Sequence, residues 1–234
     1  MATILHIETA TDVCSVAIST DGTVEGAKTG EEPRMHSTHL TLFIQKLMQE
    51  IDMKPATLSA VSVSQGPGSY TGLRIGTSVA KGLAFSLNIP LISVPTLLAF
   101  SAAAATRYPE VPLLCPMIDA RRMEIYYAIF DQALNPLQKT AAEIIDQHSF
   151  EKLLVEKQVL FFGDGMMKCR DILEKHGSAK FWDDFSPQAG YQAGLAYQKF
   201  RRQEFENIAD FEPFYLKDFV ANNFSKKWQK VLRG

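Results

Sequence analysis

Hydrophobic positions in the first hundred residues alternate between the spacing of strands and the spacing of helices. Three short runs rich in β-branched residues predict a three-stranded meander, and they lie at 3–8, 13–19 and 23–29. Apolar residues at i, i+3, i+4, i+7, i+8 and i+11 from Leu40 place one stripe on a helix that ends near Ile51. The remaining predicted elements of this half are strands at 59–64 and 91–94 and helices at about 72–87 and 95–105.

The same order of elements starts again after residue 112. The predicted elements of the second half are strands at 113–119, 123–130 and 159–162, another strand between the second and third of these, and helices near 148–155, 165–176 and 189–204. With an offset of 111, Ile7 and Glu8 align with Ile118 and Asp119. The pattern predicts an α/β protein of two duplicated βββαβα lobes, with mixed sheets flanked by helices and a cleft between the lobes.

This duplication also predicts the division of the chain. The N-terminal lobe covers 1–107, the C-terminal lobe covers 108–216, and 217–234 forms a basic tail. In the tail, Phe224, Trp228, Val231 and Leu232 fall on one face of a short amphipathic helix. We expect this helix to dock on protein, with contact to RNA through its lysines as the alternative.

Composition narrows the class of partner and the compartment. The chain has 24 Lys and Arg against 26 Asp and Glu, so no global positive field is available to hold nucleic acid and any RNA contact must be local. Three cysteines without CxxC spacing argue against a disulfide framework and a zinc ribbon, and predict a reducing, cytoplasmic environment. We expect neither a signal peptide nor a membrane span, because no apolar run is long enough and the first residues lack a basic segment.

The sequence resembles known proteins at two levels, a superfamily and one family within it. The duplicated plan, with an acidic residue at the first hairpin of each half, resembles the actin, sugar kinase and Hsp70 superfamily. Within it, residues 66–76, GPGSYTGLRIG, closely resemble the GPGSFTGLRIG signature of the TsaB (YeaZ) family. The match extends over residues 4–217 and includes the opening ILHIETATDVCSVAI, Arg34-x-His36, Asp119-Ala-Arg121-Arg122 and Pro213-x-Tyr215-Leu216.

The resemblance implies an accessory role in tRNA modification. It implies a non-catalytic scaffold or activator subunit of the complex that makes N6-threonylcarbamoyladenosine at position 37 of ANN-decoding tRNAs. Such a subunit pairs with a TsaD-like catalytic homologue, recruits a TsaE-like ATPase, and meets tRNA through the assembled complex. In isolation it can form a homodimer. ATP and a metal ion are then expected in the partner subunits, and no cofactor is expected on this chain alone.

The residues of the first hairpin and their counterparts in the second half predict a degenerate nucleotide site. The superfamily needs glycine in the first hairpin so that backbone N–H groups can approach phosphate, but here the hairpin reads Glu8-Thr9-Ala10-Thr11-Asp12. The predicted remnant consists of Glu8, Thr9, Asp12, Asp119, Gly163 and Gly165. A tight strand-to-helix turn explains the two glycines equally well. An ATP-dependent kinase or ATPase of the same superfamily is therefore the first alternative function.

Other catalytic patterns are missing. Residues 66–72 lack the Walker A lysine, and Ser69 lacks the flanking glycines of a nucleophile elbow. His36 and His39 are one residue too close for a His-x-x-x-His metal box, so we interpret them as surface or capping residues. The sequence thus predicts no catalytic residue and no metal ligand. A glycoprotease-like peptidase stays as the second alternative.

A stripe of small residues suggests the surface that meets the partner. Gly72, Gly76, Ala80 and Ala84 recur every fourth residue, which either lets the helix pack closely on its own sheet or admits a partner helix. The resemblance implies that the first two helices form a bundle with the catalytic homologue or with a second copy. The predicted contact residues are Thr41, Gln45, Met48, Leu73, Gly76, Thr77, Ala80 and Leu83.

Overall fold

The computed structural model describes residues 1–30, 35–121 and 124–217. The first sheet has the strand order β3-β2-β1-β4-β5. Its strands are β1 (Thr3–Glu8), β2 (Cys14–Thr20), β3 (Thr23–Gly30), β4 (Ala60–Ser64) and β5 (Leu91–Val94). The meander β1-β2-β3 is antiparallel, whereas β4 and β5 run parallel to β1. The mixed sheet predicted for the first half is therefore present.

The second sheet repeats this topology. Its strands are β6 (Leu113–Asp119), β7 (Glu124–Asp131), β8 (Pro136–Ile144), β9 (Val159–Phe162) and β10 (Ala179–Trp182), in the order β10-β9-β6-β7-β8. Strands β6, β7 and β8 are antiparallel neighbours, and β9 and β10 are parallel to β6. The two sheets thus have the same order and directions, which confirms the predicted two-lobed α/β fold. Strand β10 was not among the predicted elements, because its sequence AKFW has no β-branched residue and is interrupted by a lysine.

Helices form three layers around the two sheets. They are α1 (Met35–Glu50), α2 (Tyr70–Leu87), α3 (Thr96–Arg107), α4 (Glu151–Glu156), α5 (Met166–Leu173) and α6 (Ala193–Arg202). Helices α1 and α2 cover the outer face of the first sheet, and α4 and α5 cover the outer face of the second. Helix α3 lies between the sheets and contributes apolar side chains to both cores.

The end of the described chain returns to the first lobe. Ala196 of α6 packs with Ile4 and Ile92 of the first sheet. Residues 203–217, called the C-terminal strap, continue along this lobe, where the backbone N–H of Phe214 donates to the carbonyl of Gln65 at 2.7 Å. The predicted C-terminal lobe of 108–216 is corrected accordingly: its last segment packs on the N-terminal lobe, because the apolar face of α6 complements the first sheet.

Two other sequence predictions fall wholly or partly outside the described residues. The basic tail predicted for 217–234 is described only at Lys217, which forms an ion pair with Glu124 of the second sheet. Arg122 of the second hairpin also lies outside the described part. Within the described ranges, no helix is both long enough and apolar enough to cross a membrane.

Candidate functional site

The signature residues bring the start of α2 directly onto the first hairpin. A Cβ atom at Gly68 would lie 2.2 Å from the carbonyl oxygen of Ala10, and one at Gly72 would lie 2.1 Å from the carbonyl oxygen of Thr9. One turn later, a Cβ at Gly76 would lie 2.2 Å from Oγ1 of Thr9. The backbone N–H of Ser69 donates to the carbonyl of Ala10 at 2.6 Å. These three glycines are therefore required by close packing inside the chain.

The second half contains a matching contact. Gly66 and Gly163 each follow a parallel strand and have φ angles of 109° and 103°, values that favour glycine. A Cβ at Gly163 would lie 2.1 Å from the carbonyl oxygen of Met117, and one at Gly165 would lie 2.8 Å from the carbonyl carbon of Ile118. The Gly-x-Gly turns thus seat each following helix on the first strand of its own lobe. For Gly163 and Gly165, the tight-turn interpretation accounts for both residues.

This packing corrects the partner surface predicted from the glycine stripe. Leu73 and Ala80 are fully buried in the N-terminal lobe, and Thr77 is 5% exposed. Gly76 faces Thr9. Of the two explanations offered for the stripe, packing inside the chain is the one observed. These four residues do not belong to the exposed surface that a partner could contact.

The carboxyl group of Glu8 is enclosed at the end of β1. Its side chain has no solvent exposure, and its Oε1 accepts a hydrogen bond from the backbone N–H of Ala10 at 2.7 Å. Among the described residues its Oε2 has no hydrogen-bond partner. Burial raises the pKa of Glu8 to about 7, although the hydrogen bond from the backbone N–H of Ala10 acts in the opposite direction. A carboxyl with no solvent exposure has no room beside it for the water shell of a hydrated cation.

A segment from the end of the chain closes the space over Glu8. The 3-10 helix Ala189–Gln192 lies against the inner face of the first sheet. The hydroxyl of Ser62 donates to Oε1 of Gln192 at 2.7 Å, and Nε2 of Gln192 donates to the carbonyl of Ile7 at 2.9 Å. The backbone N–H of Ala189 donates to Oγ of Ser15 at 3.0 Å. These buried contacts fill the inner face at the first hairpin.

The other predicted members of the nucleotide site are buried, ion-paired or exposed. Thr9 is fully buried under α2, whereas Asp12 is exposed. The carboxylate of Asp119 forms an ion pair with Lys168 at 2.6 Å and accepts a hydrogen bond from the backbone N–H of Arg121. Across residues 1–30, 35–121 and 124–217, no group of three or more His, Cys, Asp or Glu side chains is placed to hold a metal ion. Thr9 and Asp119 are therefore already engaged within the chain, and Asp12 is an exposed member of the predicted site.

An open apolar groove lies between α1 and α2. Its volume is about 530 Å³, and Thr41, Gln45, Met48 and Leu83 from the predicted partner surface all line it. Thr41 and Gln45 are exposed at its rim, while Met48 is 6% exposed on its floor. The sequence prediction omitted seven lining residues, and these are Ile44, Gln49, Met53, Pro55, Leu58, Val79 and Gly82. The apolar stripe of α1 could have indicated Ile44, but Met53 and Leu58 follow the helix and carry no periodic signal.

Comparisons with known proteins agree with this architecture. The model of the family described as "TsaD: tRNA N6-adenosine threonylcarbamoyltransferase" matches residues 30–225. The tRNA threonylcarbamoyladenosine biosynthesis protein TsaB of Escherichia coli is 29% identical over 233 residues, which cover 97% of each chain. The protein of the same name from Bacillus subtilis is 33% identical over 178 residues, which cover 74% of this chain and 75% of that protein.

A solved structure extends the agreement to the fold. YeaZ from Pseudomonas aeruginosa superposes with a TM-score of 0.75 at 23% identity, covering 92% of this chain and 100% of that one. This similarity supports the fold, and the family is identified by the family-model match to most of the sequence together with the relative from Bacillus subtilis. The chain belongs to the TsaB (YeaZ) family of tRNA threonylcarbamoyladenosine biosynthesis proteins.

Proposed function

We propose that this chain is a non-catalytic accessory subunit that activates a TsaD-like catalytic homologue in threonylcarbamoyladenosine synthesis on tRNA. The observation that carries the proposal is a contrast between two surfaces of the N-terminal lobe. The inner face, where the superfamily holds nucleotide, is filled by Ala189–Gln192, whereas the groove between α1 and α2 is open and apolar. The chain therefore offers a binding surface without an assembled catalytic site.

The filled inner face supports an accessory role. Phosphate binding at the first hairpin would need free backbone N–H groups, but those of Thr9 and Ala10 already donate to Oγ of Ser64 and Oε1 of Glu8. Glu8 is fully buried and lies beneath Gln192, so a magnesium ion with its water shell has no room beside it. ATP and metal are accordingly assigned to the partner subunits. Neither the kinase nor the peptidase alternative has an observation in its favour among the described residues.

The groove supports pairing with a helical partner. Its lining carries no charged side chain, and its walls are formed by α1 and α2, which share one core cluster. Such a groove suits an amphipathic helix that buries an apolar face. We assign this position to a helix of the catalytic homologue, and to a second copy of the chain when that subunit is absent. Recruitment of a TsaE-like ATPase and contact with tRNA then depend on the assembled complex.

Complex formation with the catalytic homologue of the same organism tests the proposal. Replacing Leu83 by glutamate places a charge on the groove wall and should weaken binding at least a hundredfold. Ser78→Glu is the matched control, because Ser78 is exposed on the same helix and does not line the groove. Isothermal titration of each folded variant measures the affinity. Equal affinity of Leu83→Glu and Ser78→Glu would refute the assigned interface, and ATP turnover by the isolated chain would favour the kinase alternative.

A further inference from the structure

The glycines inside α2 fall into two classes. Gly72 and Gly76 are required by the close approach of Thr9, as described above. Gly82 differs, because a Cβ atom added there would meet nothing within 4 Å. It is exposed and lies five residues before the end of the helix. Glycine is markedly less favourable than alanine inside a helix, so contacts within the described chain give no reason for it.

The position of Gly82 points to a contact outside the chain. Gly82 lines the groove between α1 and α2, beside Val79 and Leu83 on the same helix and opposite Met48 of α1. Packed helices are normally separated by 8–10 Å between axes, and the distance depends on the side chains at the crossing point. A residue without a side chain allows the closest approach. The uncharged lining of the groove also matches an uncharged, apolar helix face.

We propose that a helix of the catalytic homologue crosses α2 at Gly82, and that the missing side chain there determines which helix fits the groove. This inference rests on the proposed function and deepens it by naming the point of closest contact. It assigns Gly82 the role of a specificity-determining residue. The cost of glycine to the isolated helix is then offset only when the partner is bound.

The test measures stability and affinity on the same variants. In the isolated chain, Gly82→Ala should raise the melting temperature by about 2–4 °C, because alanine favours the helix and the added methyl meets no atom. The same change should weaken binding to the catalytic homologue about tenfold, and Gly82→Leu about a hundredfold or more. A purely structural glycine would not produce a gain in stability together with a loss of affinity.

Gly194 provides the matched control. A Cβ at Gly194 also meets nothing within 4 Å, but this residue belongs to α6 and does not line the groove. Gly194→Ala should leave the affinity unchanged. If Gly82→Ala and Gly82→Leu bind like the wild type while Leu83→Glu does not bind, the inference is overturned and the proposed function stands. If the wild-type chain does not bind the homologue at all, both are overturned.

Discussion

Replacing Gly76 by alanine should destabilise the N-terminal lobe, although alanine is the better helix former. The new Cβ would lie 2.2 Å from Oγ1 of Thr9 and 3.4 Å from its Cβ and Cγ2. Thr9 cannot retreat easily, because it is fully buried and its carbonyl oxygen already lies against Gly72. The side chain or the helix must therefore shift.

The expected loss follows from two opposing effects. Overpacking of this kind costs about 1–3 kcal/mol. The helical preference of alanine over glycine returns about 1 kcal/mol. The difference is about 0–2 kcal/mol. Because the new Cβ would lie only 2.2 Å from Oγ1 of Thr9, we expect a loss near the upper end, about 2 kcal/mol in the free energy of unfolding. In a protein of this size, that lowers the melting temperature by about 4–8 °C.

A double-mutant cycle in urea unfolding isolates the contact. Thr9→Ala removes Oγ1, which has no hydrogen-bond partner among the described residues, and leaves the remaining Cβ at ordinary contact distance. The double variant with Gly76→Ala should recover most of the lost stability, giving a coupling energy of about 1 kcal/mol or more. The reasoning is refuted if Gly76→Ala alone is as stable as the wild type, or if Thr9→Ala does not rescue it.

Two further predictions concern the buried polar groups of the inner face. The folded-state pKa of Glu8 is raised from 4.5 to about 7, so its contribution to stability is complete below pH 4.5 and is lost as the pH rises towards 7, about 3 kcal/mol in all. Urea unfolding across this range should show about 3 kcal/mol more loss in the wild type and in the exposed-site control Glu110→Gln than in Glu8→Gln. Glu8→Gln keeps the pH dependence of Asp164, whose pKa burial raises to about 6. A pH profile of Glu8→Gln equal to that of the wild type would contradict the prediction. Gln192→Leu should lower the free energy of unfolding by about 2–4 kcal/mol, because the buried hydroxyl of Ser62 and carbonyl of Ile7 both lose their hydrogen bond to Gln192. The control is Gln188→Leu, which changes an exposed glutamine of the same segment. An equal loss of stability in both variants would contradict the filling of the inner face by Ala189–Gln192.

The spacing of hydrophobic residues along the chain was sufficient to predict most of the fold. The apolar stripe that begins at Leu40 predicts α1, and β-branched runs predict β1, β2 and β9 close to their observed limits. The matching carboxylates Glu8 and Asp119 indicate the duplication before any strand order is known. These signals are local, and they are strongest in the central strands of the sheets, such as β1 and β6, in which residues on both faces are buried.

Long-range packing accounts for what the sequence did not predict. The small-residue stripe of α2 indicates a close approach, but the identity of the facing element, the hairpin at Thr9, depends on the tertiary fold. The position of α6 on the first sheet depends on a chain return of more than a hundred residues, from Ile92 to Ala196. The groove joins α1 to residues that follow it irregularly, such as Met53 and Leu58, so no single period describes it.

The measurement that tests the account most directly is threonylcarbamoyl transfer to tRNA by purified components. The reaction would contain the catalytic homologue and the ATPase of the same organism, the threonylcarbamoyl donor and unmodified tRNA, with and without this chain. We predict efficient transfer only when the chain is present, none from the chain alone, and strongly reduced transfer with Leu83→Glu. Full transfer without the chain, or transfer by the chain in the absence of the homologue, would contradict the account.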